Sequence, residues 1–179
     1  MSEDTLKIKI SRIWAMPNHE TFKILPIKNL IEKWGFTSSG LRFVDPFVRN
    51  SPFKGYCISN DIDPEIEADS HVDALEFLKT FESGTVDGVL FDPPYSPRQV
   101  AEVYKRLELS VNMQTTQSRF WGDMKKEVSR IMVYGGTCIT CGWNSGGMGK
   151  SNGFEISEIL MVPHGGWHND TIVVVENKI

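Results

Sequence analysis

The sequence lacks long apolar runs and contains little cysteine, and both absences narrow the class of protein. No apolar segment approaches the ~20 residues needed to cross a bilayer. Residues 1–10 carry scattered charges and no apolar stretch, unlike a signal peptide. Three cysteines (Cys57, Cys138 and Cys141) are too few, and odd in number, for a disulfide framework. We therefore expect a cytoplasmic protein with no membrane partner.

The sequence also lacks an excess of basic residues. Its formal net charge is -4, whereas a protein that depends on phosphate contacts usually presents a basic face. Any binding of nucleic acid must therefore rest on local features. With 40% apolar residues in a chain of 179, the composition predicts one globular domain over residues 1–179.

Predicted strands alternate with predicted helices along the chain. Leu6, Ile8 and Ile10 alternate with polar residues, which indicates a first strand. Further strands are predicted at 41–45, 55–60, 86–91, 137–141, 156–162 and 171–175, and helices at 26–34, 74–81, 96–107 and 117–131. This order predicts an α/β fold with a mainly parallel sheet and a closing pair of strands.

Three predicted strands end on an aspartate: Asp45, Asp61 and Asp92. Ligands of open α/β sheets bind at the carboxyl ends of the strands. Each acid alone could merely cap a turn, but three at the same edge of a sheet predict a binding site there.

The tetrapeptide Asp92-Pro93-Pro94-Tyr95 lies between a buried strand and a capped helix. An amine on an aromatic base is a poor nucleophile, because its lone pair is delocalised into the ring. A carboxylate and a backbone carbonyl that each accept one N–H would free and orient that lone pair. Consecutive prolines restrict the backbone and remove competing donors. Tyr95 could stack on the base, which contributes about 1–3 kcal/mol.

Four segments resemble the nucleic-acid amino-methyltransferases, most closely the small phage and bacterial adenine-N6 DNA methyltransferases. They are 21–27 with Leu30 and Ile31, Val44-Asp45-Pro46-Phe47, Asp92-Pro93-Pro94-Tyr95, and Gly135-Gly136 with Gly142-Trp143-Asn144-Ser145. The resemblance implies a Rossmann-like sheet with an antiparallel terminal strand pair, S-adenosylmethionine as cofactor, and a flipped adenine in DNA as substrate.

The resemblance also implies roles for individual residues. The implied catalytic residues are Asp92, Pro93, Pro94 and Tyr95. The implied cofactor-binding residues are Pro26, Ile27, Asp45, Pro46, Phe47, Asn60, Asp61, Asp63 and Asp73, although Asp73 fits a helix cap equally well. The implied substrate-binding residues are Ser96, Arg98, Arg119, Trp143, Asn144 and Ser145.

The sequence departs from the family at the cofactor motif. The family continues Asp-Pro-Phe-x-Gly-x-Gly, whereas this chain has Arg49 and Ser51 at the glycine positions. Only about ten residues separate the second and third predicted strands, too few for a full crossover helix. We therefore expect shortened crossover connections and a modified cofactor site.

No segment of the sequence can form a separate target-recognition domain. The nearest substitute is 98–130, which holds seven basic and four acidic residues with Tyr104, Phe120 and Trp121 among them. It could contact phosphates, or it could be a solvated helix pair with core aromatics.

Other patterns allow weaker interpretations. The run 142–151 hints at a phosphate-binding loop, but its spacing fails, and an active-site loop facing the base fits better. Cys138 and Cys141 with His164 and His168 have zinc-finger spacing, but a three-residue separation on a strand puts the cysteines on opposite faces. We predict no metal. The loop 163–170 is expected to connect strands, and its histidines and Trp167 could touch substrate.

Alternative functions remain open at this point. The same motif would serve an RNA methyltransferase, including a ribosomal RNA enzyme, or a cytosine-N4 methyltransferase. The missing glycines also allow a non-catalytic relative that binds nucleic acid or a partner subunit. The sequence does not indicate an oligomeric state or a specificity subunit.

Overall fold

The computed structural model describes residues 8–109 and 118–179. Its centre is a seven-stranded sheet in the order β1-β6-β7-β5-β4-β2-β3. The strands are β1 (Lys9–Arg12), β2 (Phe43–Asp45), β3 (Cys57–Ser59), β4 (Val86–Phe91), β5 (Met132–Gly142), β6 (Phe154–Val162) and β7 (Thr171–Lys178). β7 runs antiparallel to β5 and β6, and the other pairs are parallel. The predicted α/β class and terminal antiparallel pair are confirmed.

Within the described residues, four α-helices flank the sheet: α1 (Leu25–Lys33), α2 (Ala74–Lys79), α3 (Pro97–Arg106) and α4 (Ser118–Ile131). α1 and α3 begin with proline in the first turn, where its missing N–H is not needed. The Ser96 side chain caps α3 by accepting from the Gln99 N–H, as the sequence predicts. α1 ends before Gly35, which adopts a left-handed conformation.

The two faces of the sheet carry separate hydrophobic cores. The α1-side core contains Ile27, Ile31 and Leu90, and the α4-side core contains Val89, Met124 and Val128. β4 contributes to both cores, which explains why its sequence is almost wholly apolar. Cys141 lies in the α1-side core and Cys138 in the α4-side core, so the two thiols face opposite sides as predicted.

The connection between β2 and β3 contains no α-helix. A single 3-10 turn, Lys54–Tyr56, leads directly into β3. The shortened crossover predicted from the sequence is therefore confirmed. Both strands are only three residues long, which leaves the edge of the sheet at β3 small.

β1 and β5 start at positions that differ from the sequence prediction. β1 is shifted to Lys9–Arg12, where it forms one edge of the sheet, and Ile8 and Ile10 are exposed. Leu6 lies outside the described residues. β5 begins at Met132, directly after α4, although Gly135 and Gly136 read as a turn. Gly135 has a positive φ, and the pairing of β4 with β5 shifts register in this region.

The segment after β5 folds back along the α4-side face. Glu176, fully buried in β7, accepts hydrogen bonds from the Met148 and Gly149 N–H groups. Lys125 of α4 donates to the Gly147 carbonyl. The interpretation of 142–151 as a loop facing the base is therefore wrong for its second half, because a buried carboxylate anchors it to the sheet. No helix within 8–109 or 118–179 could cross a membrane.

Gly88 of β4 provides a test of how closely the sheet packs. A Cβ there would lie 2.9 Å from the Phe36 ring, 3.0 Å from the Phe43 ring and 3.0 Å from the Thr137 carbonyl. We expect Gly88→Ala to lower the free energy of unfolding by about 1–3 kcal/mol in denaturant titrations. Gly122→Ala is the matched control: space around Gly122 on α4 is open, so alanine should stabilise the helix by about 0.5–1 kcal/mol. Equal effects of the two substitutions would contradict the packing around β4.

Candidate active site

The carboxyl ends of the parallel strands open into one cavity of about 810 Å³. Residues that follow β2, β3, β4 and β5 line it, together with the segment before α1, parts of α3 and the connection between β6 and β7. Of the residues assigned from the sequence, Pro46, Phe47, Asn60, Asp61, Asp63, Asp73, Asp92, Pro93, Pro94, Tyr95 and Trp143 line this cavity. The strand-end acids therefore gather at one edge of the sheet.

Asp92 and Tyr95 form the central pair of the cavity. The Tyr95 hydroxyl donates a short hydrogen bond to Asp92 Oδ1. Burial raises the pKa of Asp92, although hydrogen bonds from Tyr95 and Thr21 and the charge of Arg49 oppose this. Burial and the Asp92 charge raise the pKa of Tyr95 well above its ordinary value, so its hydroxyl stays protonated and remains a donor.

The two prolines differ in what their carbonyls contact. Trp121 of α4 donates its indole N–H to the Pro94 carbonyl at 3.0 Å. No donor among the described residues hydrogen-bonds the Pro93 carbonyl, and Pro93 belongs to the cavity lining. The Tyr95 N–H donates to Gln99 Oε1 at 2.6 Å, which fixes the turn from the motif into α3.

Asp45, at the end of β2, is fully buried beside the cavity rather than lining it. Its Oδ1 accepts the Phe47 N–H at 3.0 Å, while Oδ2 has no hydrogen-bond partner among the described residues. Burial raises the pKa of Asp45 well above its usual range, the Phe47 N–H lowers it, and the charges of Asp92 and Asp61 raise it further. Leaving this buried oxygen unpartnered disfavours the charged form of Asp45, in keeping with its raised pKa.

Arg49 follows Asp45 and Phe47 at the first position where the family has glycine. Its φ is +44°, and its N–H donates to Asp61 Oδ2 at 3.0 Å. The backbone therefore keeps the left-handed conformation that glycine would adopt freely, at a cost of about 1–2 kcal/mol for an L-residue. Ser51 stands at the second glycine position, and its hydroxyl accepts the Phe53 N–H.

The polar residues after β3 differ in how far their side chains are already occupied by hydrogen bonds and ion pairs. Asn60 is fully buried, and its amide binds the Pro46 and Val72 backbones, so its assignment as a cofactor ligand is wrong for the side chain. Asp63 pairs with Arg106 at 2.9 Å. Asp61 accepts only backbone N–H groups, one on each oxygen, and keeps acceptor capacity toward the cavity.

Asp73 caps α2, which was one of its two predicted roles. One carboxylate oxygen accepts the Leu75 N–H and the other accepts the Tyr104 hydroxyl at 2.6 Å. These two contacts tie α2 to α3 across the cavity wall.

Pro26 and Ile27, which the sequence assigns to cofactor binding, do not line the cavity. Ile27 is fully buried in the α1-side core, and Pro26 lies in the first turn of α1, away from the cavity lining. The apolar side of α1 must cover the flat face of the sheet, so only the turn before it reaches the strand ends. Glu20 and Thr21 line the cavity instead. Glu20 accepts two hydrogen bonds from Asn50, one of them from its side chain at 3.0 Å.

Aromatic side chains form the outer part of the cavity. Trp143 packs edge-on against Tyr95, with ring centroids 5.6 Å apart. Trp167 is fully exposed at the mouth. His164 instead supports the wall: one ring nitrogen contacts the Ala15 carbonyl and the other the Thr171 hydroxyl. The Ala15 carbonyl can only accept, so the facing Nδ1 carries a proton.

Five residues assigned to substrate binding lie outside the cavity lining: Ser96, Arg98, Arg119, Asn144 and Ser145. Arg98 pairs with Glu102, and Arg119 with Asp123, on exposed helix surfaces. The Asn144 side chain accepts the Gly146 N–H. Most basic side chains of 98–130 thus have an acidic or carbonyl partner. This favours the solvated helix pair over phosphate contact as the interpretation of the segment.

Asp45 generates a stability prediction with a defined pH dependence. Folding raises the pKa of Asp45, so folding is favoured most below its ordinary pKa of about 4, where the carboxyl is protonated. This stabilisation is lost as the pH rises through the folded pKa, because ionising the buried carboxyl opposes folding. We expect Asp45→Asn to melt at a higher temperature than the native chain at neutral pH, with a difference that shrinks toward about pH 4. Glu32→Gln, on the exposed face of α1, is the control and should change little. A lower melting temperature for Asp45→Asn at both pH values would contradict this account.

Comparisons with known proteins agree on the fold and differ in what they act on. No family model matches the sequence, and no curated protein sequence matches it. TrmN from Thermus thermophilus superimposes with a TM-score of 0.59 at 15% identity, over 87% of this chain and 49% of TrmN, so the chain spans about half the length of that protein. A candidate methylase from Haemophilus influenzae gives 0.55 at 9% identity, over 86% of this chain and 98% of its own.

A third similar structure holds the product form of the cofactor. It is the 1,6-didemethyltoxoflavin-N1-methyltransferase of Burkholderia thailandensis with bound S-adenosylhomocysteine, at a TM-score of 0.58 and 9% identity, over 86% of this chain and 76% of that one. The identities are low, so the likeness concerns architecture. This chain has the Rossmann-like fold of the S-adenosylmethionine-dependent methyltransferases.

Proposed function

We propose that this protein transfers a methyl group from S-adenosylmethionine to the exocyclic N6 amine of adenine in DNA. The observation that carries the proposal is the Asp92-Pro93-Pro94-Tyr95 turn at the end of β4. All four residues line one cavity, and they include a carboxylate, a carbonyl without a donor among the described residues and an aromatic ring. The sequence resemblance to adenine-N6 enzymes supports the choice of amine.

The cavity residues fit the cofactor in charge and size. S-adenosylmethionine is cationic at its sulfonium and ammonium groups, and six carboxylic side chains line the cavity: Glu20, Asp61, Asp63, Asp73, Asp92 and Glu102. The volume of about 810 Å³ lies within the ~300–1,000 Å³ range of small-molecule sites. Asp61 would accept from the ribose hydroxyls. When bound, the cofactor supplies an electrophilic methyl group.

The chain's own groups would prepare the amine for attack. The Asp92 carboxylate and the Pro93 carbonyl would each accept one N–H of the amine, which directs its lone pair outward. Both acceptors also stabilise the positive charge that develops on nitrogen. In the structure the Tyr95 hydroxyl holds the Asp92 position that the amine would take. Tyr95 would therefore release Asp92 as the base enters, and its ring would stack on the base next to Trp143.

The acceptor test uses purified protein with labelled S-adenosylmethionine and duplex DNA, single-stranded DNA and RNA in parallel. We expect label in DNA, recovered as N6-methyladenine after digestion to nucleosides. Asp92→Asn should lower the rate by about a hundredfold or more, because it removes an acceptor aimed at the developing charge. Glu32→Gln neutralises an exposed carboxylate on α1 and should retain the native rate.

Other outcomes of the same test identify a different function. Label in RNA, or as N4-methylcytosine, would replace the proposed substrate and leave the catalytic roles intact. Absence of label from every acceptor, with no heat of S-adenosylmethionine binding in calorimetry, would indicate a non-catalytic protein that binds nucleic acid or a partner.

The Tyr95–Asp92 hydrogen bond makes a separate prediction about pH. Asp92 must be ionised to accept the amine, and the Tyr95 hydroxyl lowers its pKa against the effect of burial. Tyr95→Phe removes that hydrogen bond and keeps the ring, so the acidic limb of the kcat/KM profile, which reports the free enzyme, should move to higher pH. Trp143→Phe keeps the hydrogen bond, and its acidic limb should not move. An unshifted limb in Tyr95→Phe would show that Asp92 does not set it.

A further inference from the structure

Arg49 is the cavity residue whose presence the proposed function does not explain. Glycine, which the related motif carries at this position, adopts a positive φ without strain, whereas arginine adopts it at a local conformational cost. Its backbone role, donating to Asp61 Oδ2, needs only an N–H and could be filled by glycine. The distinctive contribution of this position is therefore the guanidinium group.

The surroundings of Arg49 favour binding of an anion. Six carboxylic side chains line the cavity, so an anionic group on a ligand would be repelled from most of its wall. Arg106, the other arginine of the lining, pairs with Asp63 at 2.9 Å. Within the described part of the chain, no carboxylate lies within ion-pair distance of Arg49. Its charge nevertheless acts on the site, since it lowers the pKa of both Glu20 and Asp92.

We propose that the Arg49 side chain binds the α-carboxylate of S-adenosylmethionine, in place of the backbone approach that a glycine at this position allows. This inference rests on the proposed function. Arg49 lines the cavity together with Glu20, a carboxylate whose pKa the Arg49 charge lowers. An amino-acid group carries an ammonium and a carboxylate on one carbon, and an acceptor with a nearby cation matches both charges.

The test compares two ligands that differ at the amino-acid end. S-adenosylhomocysteine has the α-carboxylate and 5′-methylthioadenosine lacks the whole amino-acid group. Calorimetry should show that Arg49→Gly weakens S-adenosylhomocysteine about tenfold to a hundredfold, the range expected for loss of a charge-assisted hydrogen bond. The same variant should bind 5′-methylthioadenosine as the native chain does. Arg49→Lys, which keeps a positive charge, should retain part of the native affinity for S-adenosylhomocysteine.

Controls separate ligand binding from folding. Arg49→Gly relieves the positive φ, so its melting temperature should equal or exceed that of the native chain. Lys28→Ala removes one positive charge from the exposed face of α1 and should leave both affinities unchanged.

Each contrary outcome has a defined meaning. Native protein that binds neither ligand would overturn the proposed function itself. Native protein that binds S-adenosylhomocysteine, with Arg49→Gly binding it equally or more tightly, would overturn the role of Arg49 alone. Unchanged cofactor affinity with a higher KM for DNA and a weaker salt dependence would assign Arg49 to a phosphate of the substrate and so reject the carboxylate.

Discussion

The parallel pairing of β2 with β4 is the contact on which the site depends. Phe43 and Val44 pair with Gly88 and Val89, and this register brings the ends of the two strands to the same level. Asp45 ends β2, Asp92 directly follows β4, and the charge of Asp92 raises the pKa of Asp45. Since both acids leave buried strands, the sheet holds them close together before any ligand is present.

The acids at this edge are stabilised to different degrees, and the differences assign them to different tasks. Asp63 and Asp73 already have partners in Arg106 and Tyr104, and they support the wall. Asp61 and Asp92 accept hydrogen bonds but keep free acceptor capacity, whereas one oxygen of Asp45 has no partner among the residues that the structure describes. Asp61 and Asp92 line the cavity, so their free acceptor capacity favours a cationic ligand there, whereas Asp45 is buried beside it.

The loop after β2 reaches the family's backbone geometry with different residues. Arg49 adopts a positive φ without being glycine, and its N–H still reaches Asp61. Asn50 then binds Glu20, which connects the loop to the segment before α1. The cavity wall therefore combines residues more than twenty positions apart, and the missing glycines change the chemistry of the wall more than its path.

Local sequence determined much of the architecture. Apolar alternation and capping residues identified the helices and most strands, because burial and terminal hydrogen bonding act over a few neighbours. β4, the α3 cap and the short crossover to β3 needed no tertiary information. The same reasoning located Asp92 and Tyr95 at a strand end. The tertiary structure decided which residues share the cavity. Ile27 packs in the core, the Asn60 side chain binds backbone groups, and Glu20, Thr21 and Arg49 line the cavity. Such placements depend on contacts between distant segments, which a local pattern does not contain.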